Sequence, residues 1–235
     1  MAKRTQRFSR GNKRAKEQRK KAIIMLVVAF IIVVVLIFVC RKLFFSKDQN
    51  PDNLAKVSDI KDRSPSMEGA PPIDVQLLTP NEYSRPQIKL DKINSIVVHY
   101  IANPGSSAQA NRDYFENLKD NHTTKASSHF IVGLEGEIIQ CIPSSEIAYT
   151  SNERNGDTLS IETCHPDETG EFNKATYDSL VELTGWLCWR FGLTSNDVIR
   201  HYDVTGKMCP KYFVEDEAAW AQFLADVEGH IKELG

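Results

Sequence analysis

Nineteen consecutive apolar residues, Ala22 to Cys40, contain no charge, proline or glycine. As a helix this run is about 28 Å long, close to the hydrocarbon thickness of a bilayer. A helix buried in a globular core normally carries a polar stripe, and this run has none. A transmembrane helix over residues 22–40, in contact with the lipid bilayer, is therefore expected. It commits the chain to a short tail, a span and a larger part beyond it. The run ends Phe38-Val39-Cys40-Arg41-Lys42, without the small residues of a signal-peptidase site and with bulky side chains where a lipoprotein site needs small ones. An uncleaved signal anchor follows.

Charge sets the orientation. Residues 1–21 hold ten Lys or Arg and a single acid, Glu17, whereas only Arg41 and Lys42 flank the far end of the run. The positive-inside rule places the basic tail, residues 1–21, in the cytoplasm and everything after Lys42 outside, as a single-pass protein of the cell membrane. Beyond Lys42, thirty Asp and Glu outnumber seventeen Lys and Arg. The formal net charge of -2 thus averages two opposite regions. An acidic outer portion argues against a nucleic-acid partner, which needs clustered cations for its phosphates. Residues 41–74, rich in Ser, Pro, Asp, Asn and Lys, read as a flexible linker. Five cysteines without regular spacing do not form a disulfide framework, and whether Cys141, Cys164 and Cys188 pair is open at this level.

Residues 75–235 are long enough to bury a core. Ile96 to His99 reads as a buried strand, and Asn103-Pro104-Gly105-Ser106-Ser107 as a turn with an N-cap at Ser106 or Ser107. A helix follows with Asn111, Tyr114, Phe115 and Leu118 at helical spacing. His129 to Val132 and Glu137 to Ile142 are strands of a hairpin turning through Gly133-Leu134-Glu135-Gly136. Leu159 to Thr163 is a further strand. A helix runs from Lys174 to a stop at Gly192, and a last one starts near Glu215 with acids in its first turn. Strands interleaved with helices predict an α/β domain: a central mixed β-sheet flanked by helices.

Two features carry chemistry. The stretch Ile199 to Pro210, read as a loop, holds His201, Lys207 and Cys209 within nine residues. Imidazole and thiolate are zinc ligands, and a catalytic zinc takes three protein ligands with a fourth position open. His99, closing an apolar strand, is a candidate third ligand; by spacing alone such a residue is more often a hydrogen-bonded core residue. Glu162 interrupts a strand that alternates Leu159, Ile161 and Thr163 with Ser160, Glu162 and Cys164. A buried carboxylate without a partner is costly, so Glu162 faces either a cleft or, on an edge strand, solvent. His122, His165 and His230 stand in polar contexts and read as surface residues. The adjacent Cys164 and His165 are weaker rival ligands, and His129 reads as structural or as a support to a ligand.

The ordered set Ser84-Arg85-Pro86, Ile96-Val97-Val98-His99-Tyr100, Ala126-Ser127-Ser128-His129-Phe130, Leu159-Ser160-Ile161-Glu162, His201-Tyr202-Asp203 and Lys207-Met208-Cys209-Pro210 resembles the zinc-dependent N-acetylmuramoyl-L-alanine amidases. That family shares its fold with phage amidase-type lysozymes and peptidoglycan recognition proteins. The resemblance covers roughly residues 75 to 230 and leaves out the apolar span. It implies that one Zn2+ ion is held by His99, His201 and Cys209, with Glu162 and Lys207 as catalytic residues. Tyr100, Asn103 and Tyr149 are candidates for lining a substrate groove. Where lysozyme-type members place a catalytic Tyr, this chain has Ser128, which leaves Glu162 as the base. The implied substrate is peptidoglycan outside a bacterial membrane. The implied reaction is hydrolysis of the bond between N-acetylmuramic acid and L-alanine. The alternative is a membrane-tethered sensor that binds peptidoglycan without cutting it.

Overall fold

The computed structural model describes residues 67–235 and, apart from these, Met25 alone. The basic tail, the expected span and most of the expected linker thus lie outside the described residues. Among the described residues no helix is long and apolar enough to cross a membrane.

The elements in chain order are β1 (Asp74–Val75), β2 (Ser95–Tyr100), α1 (Ala108–Asn121), β3 (Phe130–Val132), β4 (Ile138–Gln140), β5 (Thr158–Thr163), α2 (Lys174–Phe191), β6 (Val198–Arg200), α3 (His201–Thr205), α4 (Lys211–Glu215) and α5 (Glu217–Glu233). Two 3-10 turns, Asn152–Arg154 and Ser195–Asp197, precede β5 and β6. The six strands form one sheet in the order β1-β4-β3-β5-β2-β6. Only β3 and β4 pair antiparallel, through the expected glycine hairpin. Strands β3, β5, β2 and β6 run parallel. This is the mixed α/β sheet that the sequence indicated.

Local chemistry places the boundaries. The Ser107 side chain accepts from the Ala110 amide and starts α1. Asn173 caps α2 in the same way, and Gly192 closes it in a left-handed conformation, φ 69°, that glycine adopts without strain. The last helix, expected from near Glu215, is α5, and the short helix α4 just before it was not foreseen. Asp216 takes an extended conformation and accepts from the Ala218 and Ala219 amides, so it ends α4 and begins α5. Strands β1 and β6 were not foreseen, being too short, at two and three residues, to show a period.

The sheet's two faces are covered differently. Ile96, Val98, Phe130, Val132, Ile138, Leu159 and Ile161 form one face with Leu180, Leu183 and Leu187 of α2 and with Phe223 and Val227 of α5. An aromatic group, Phe172, Phe213, Trp220 and Phe223, extends this core, with Phe213 ring centroids 5.1 to 5.4 Å from the other three. Each such side chain contributes about 2 kcal/mol by burial. The other face is covered over β3 and β4 by α1, whose Phe115 and Leu118 pack with Ile131, Ile139 and Cys141. Tyr114, expected on that inner stripe, is instead half exposed. Residues Glu68 to Ile73 also belong to the folded surface: Trp186 donates its indole N–H to the Glu68 carbonyl at 3.1 Å, and Ala70 and Ile73 pack on the first core. The linker expected to run to residue 74 therefore ends earlier.

Candidate active site

Three neighbouring strands bring distant residues together. In the parallel run β5-β2-β6, His99 lies opposite Glu162 in register, and His201 directly follows the last residue of β6. All three sit at carboxyl ends of parallel strands, where α/β sheets leave a crevice. The stretch 199–210 is not one loop as expected. It is the end of β6, the single turn α3, and then a short loop from Gly206 to Pro210. The Tyr202 amide donates to the Cys209 carbonyl at 2.9 Å and closes that loop. Buried Arg200 braces it, donating to both Asp203 carboxylate oxygens, to the Phe213 carbonyl at 2.8 Å and to Glu217. Phe213, four residues beyond Cys209, anchors the loop in the aromatic core.

One ligand atom from each of His99, His201 and Cys209 lies within 4.8 Å of the others. His99 Nδ1 is 3.8 Å from the Cys209 Sγ. The outward nitrogens are held from behind: His99 Nε2 by the Ser151 Oγ at 3.2 Å, His201 Nε2 by the Asn152 Oδ1 at 2.9 Å. An amide oxygen only accepts, so Asn152 fixes the proton on Nε2 and leaves a lone pair on His201 Nδ1. That Nδ1 is buried and has no hydrogen-bond partner. Burial, with the charges of His201 and Lys207, lowers the His99 pKa well below its usual value, and burial and Lys207 lower that of His201, so both rings are neutral donors. Burial and the Glu162 charge push the Cys209 thiol up to about 12, so it keeps its proton until a cation displaces it. Two neutral imidazoles and a displaceable thiol proton fit zinc, and an orphaned buried nitrogen fits a missing partner. Ser151 and Asn152 carry no motif and escape the sequence reading. Their one local sign is a turn, with Asn152 at φ 52°.

Glu162 stands beside this cluster. Its Oε2 is buried without a partner, and burial raises its pKa to about 8 against the opposing pull of Lys207. Strand β5 is interior to the sheet, so the edge-strand reading of Glu162 does not hold. A cavity of about 170 Å3 is lined by His99, Glu162, His201, Lys207, Cys209 and Tyr149 among others. A second of about 500 Å3 shares Tyr100, Phe115, Ala126, Glu162 and Lys207 and adds Asn103, Asn111 and Tyr114. Tyr100, Asn103 and Tyr149 thus all border the cleft, and Lys207 is exposed at its mouth.

The sequence profile of the N-acetylmuramoyl-L-alanine amidase family matches residues 89–212. The chain belongs to this family. It is 36% identical over 161 residues to the N-acetylmuramoyl-L-alanine amidase CwlL of Bacillus licheniformis, covering 63% of this chain and 44% of that protein. It is 34% identical over 164 residues to the amidase BlyA of Bacillus subtilis strain 168, covering 61% and 43%. The chain therefore spans less than half the length of these curated relatives. Among solved structures, a mutant endolysin from Bacillus subtilis is 26% identical with a TM-score of 0.57, covering 66% of this chain and 98% of that one. The catalytic domain of XlyA, 25% identical, has the same TM-score over 67% and 99%.

Several side chains around the amidase cleft are structural. The buried Ser128 hydroxyl donates into the sheet, to carbonyls of Phe130 at 2.9 Å and Ser160 at 3.0 Å. His129 accepts from the Ser160 amide at Nδ1, 3.0 Å, and reaches the Glu146 carbonyl with Nε2, 2.9 Å. Burial takes its pKa down to about 4, and this neutral ring ties the β3 end to β5 and to the segment leading to Tyr149. His165 is a correction: it is buried, with its ring nitrogens 2.6 Å from the carbonyls of Asp167 and Ile101, and it stacks on Tyr100. It read as a surface residue because its neighbours in sequence are polar. Neither it nor Cys164 joins a metal-binding group among the described residues. His230 is partly buried where Gly185 lets α2 and α5 approach, and exposed His122 stacks on Tyr83.

Proposed function

We propose that this chain is a zinc-dependent peptidoglycan hydrolase that cleaves the amide between N-acetylmuramic acid and L-alanine, held by residues 22–40 on the outer face of a cell membrane. The relatives' names support the reaction class. The observation that carries the reading is the juxtaposition, in one open cavity, of three buried zinc-type donors, a buried carboxylate and an exposed lysine.

His99, His201 and Cys209 would hold the zinc, which supplies Lewis acidity toward a carbonyl oxygen and toward water. Glu162, whose pKa burial raises to about 8, takes a proton from the attacking water and returns it to the departing L-alanine amine. Lys207 places a cation beside the oxygen that becomes negative as the carbonyl carbon turns tetrahedral. Ser151 and Asn152 keep the two imidazoles turned toward the cluster.

The test uses the full chain in detergent: bound metal by elemental analysis, and release of L-alanine-terminated peptide from purified cell wall. Stoichiometric zinc with peptide release, and loss of release with zinc retained in Glu162→Gln, is the expected result. Zinc without release in the unaltered chain would overturn it in favour of a tethered peptidoglycan-binding sensor. Vesicle co-sedimentation of the full chain but not of a variant lacking residues 1–42 tests the anchor.

A further inference from the structure

The outer region is acidic, yet one cation lining the cleft, Lys207, and one packed on a residue that lines it, Lys125, have no carboxylate partner. Arg85, Lys119, Arg154, Lys174 and Arg200 each make an ion pair, whereas among the described residues Lys125 and Lys207, like Lys92 and Lys211, make none. Lys207 belongs to the reacting centre. Lys125 does not. Its ammonium lies 5.7 Å from the ring centroid of Tyr149, which lines the cleft, and 6.0 Å from that of Tyr83. Both distances suit a cation held over aromatic faces. The backbone fixes this arrangement, since the Ala126 amide donates to the Tyr83 carbonyl and the Ser127 amide to the Tyr149 carbonyl. An exposed lysine normally samples many rotamers. Here two rings, one of them lining the cavity, restrict it while leaving its charge unneutralised.

The larger cavity has another chemistry. Asn103 and Tyr114 give it neutral amide and phenol groups, suited to an uncharged N-acetylated sugar. In a substrate with a muramoyl sugar on one side of the scissile amide and a stem peptide on the other, the free carboxylates belong to the peptide. Thirteen excess negative charges after residue 42 would repel such a substrate unless a local cation received it.

We propose that Lys125, held over Tyr149 and Tyr83, receives a stem-peptide carboxylate and makes this chain selective for the free acid over its amide. The assignment rests on the amidase reading. It makes Lys125 a substrate-binding residue, with its effect on KM and little on kcat.

The experiment compares two synthetic substrates, muramoyl-L-alanyl-D-glutamate and the same compound with the glutamate α-carboxyl amidated, using the full chain in detergent. The unaltered chain is expected to favour the acid by about tenfold in kcat/KM, the scale of one charge-assisted contact at a partly exposed site. Lys125→Met abolishes that preference through KM, and Lys125→Arg retains most of it. Raised salt shrinks the preference in the unaltered chain and leaves Lys125→Met unmoved. Hydrolysis of both substrates with the same preference in Lys125→Met overturns the Lys125 assignment and leaves the amidase reading standing. Hydrolysis of neither by the unaltered chain overturns the amidase reading, and the assignment falls with it.

Discussion

The two faces of one sheet do different work. Against α2 and α5, strands β2 and β5 present Ile96, Val98, Leu159 and Ile161, and these positions are sealed by hydrocarbon and aromatic rings. The next residue along each strand points the other way, and there β2 carries His99 and β5 carries Ser160 and Glu162. Because α1 packs on β3 and β4, it leaves the β5-β2-β6 ends open to the cleft. Strand alternation thus separates stability from chemistry within a few ångströms. The first face supplies the free energy that holds buried polar groups in place on the second, among them the unpartnered His201 Nδ1 and Glu162 Oε2.

That division predicts how substitutions sort. The largest effect belongs to Glu162→Gln, which should cut turnover about 10^3-fold with the fold intact, measured as peptide release beside circular dichroism. The same variant sharpens the comparison through pH. The folded-state pKa of about 8 lies above the ordinary 4.5, so the folded protein holds a proton that the unfolded chain has lost. In chelator-treated protein, stability should therefore fall as pH rises from about 4.5 to 8 and flatten above, and Glu162→Gln should remove that slope. A steep slope persisting in the variant would remove burial of Glu162 as its cause.

On the apolar face, Phe213→Ala should cost about 3–5 kcal/mol in thermal or urea unfolding, because it empties the middle of the aromatic group. It should also weaken metal retention, since Phe213 anchors the Cys209 loop. Full stability in this variant would break the division of labour. Asn152→Ala crosses no core and should cost only about 1 kcal/mol, from placing Ala in the left-handed backbone conformation at φ 52°, while weakening zinc binding about 10- to 100-fold, read by competition with a chelator.

The smallest effect concerns α1. Burial raises the Glu116 pKa, but the Thr79 hydroxyl and amide, Lys119 and Arg112 outweigh it and hold the carboxyl at about 2. A depressed pKa gives stability that is complete above about 4.5 and lost as pH falls through 2, here about 2 kcal/mol after allowing for screening. Wild type and Glu116→Gln should differ by that amount at pH 6 and converge near pH 2 in unfolding titrations.

Much of the fold was legible because its signals are local. The Ser107, Asn173 and Gly192 boundaries follow from cap chemistry, and the β3–β4 hairpin from its glycines. Where signals were too short, as in β1, β6 and the short helix α4, reading failed at the element's scale. Polar neighbours in sequence misled at His165, whose burial comes from Tyr100 and the Ile101 carbonyl, sixty-four residues away.

By itself the sequence determined the residue types: an imidazole ending an apolar strand, a carboxylate inside another, and imidazole, ammonium and thiol within nine residues. Hydrophobic period and cap chemistry act between near neighbours, so they can be read without knowing the fold. Only the tertiary structure decided that those groups meet, because meeting depends on the order β5-β2-β6 and on its parallel register. It alone supplied Ser151 and Asn152 behind the imidazoles and Lys125 over its two rings. Their roles arise from through-space contacts between segments, and no local pattern encodes those.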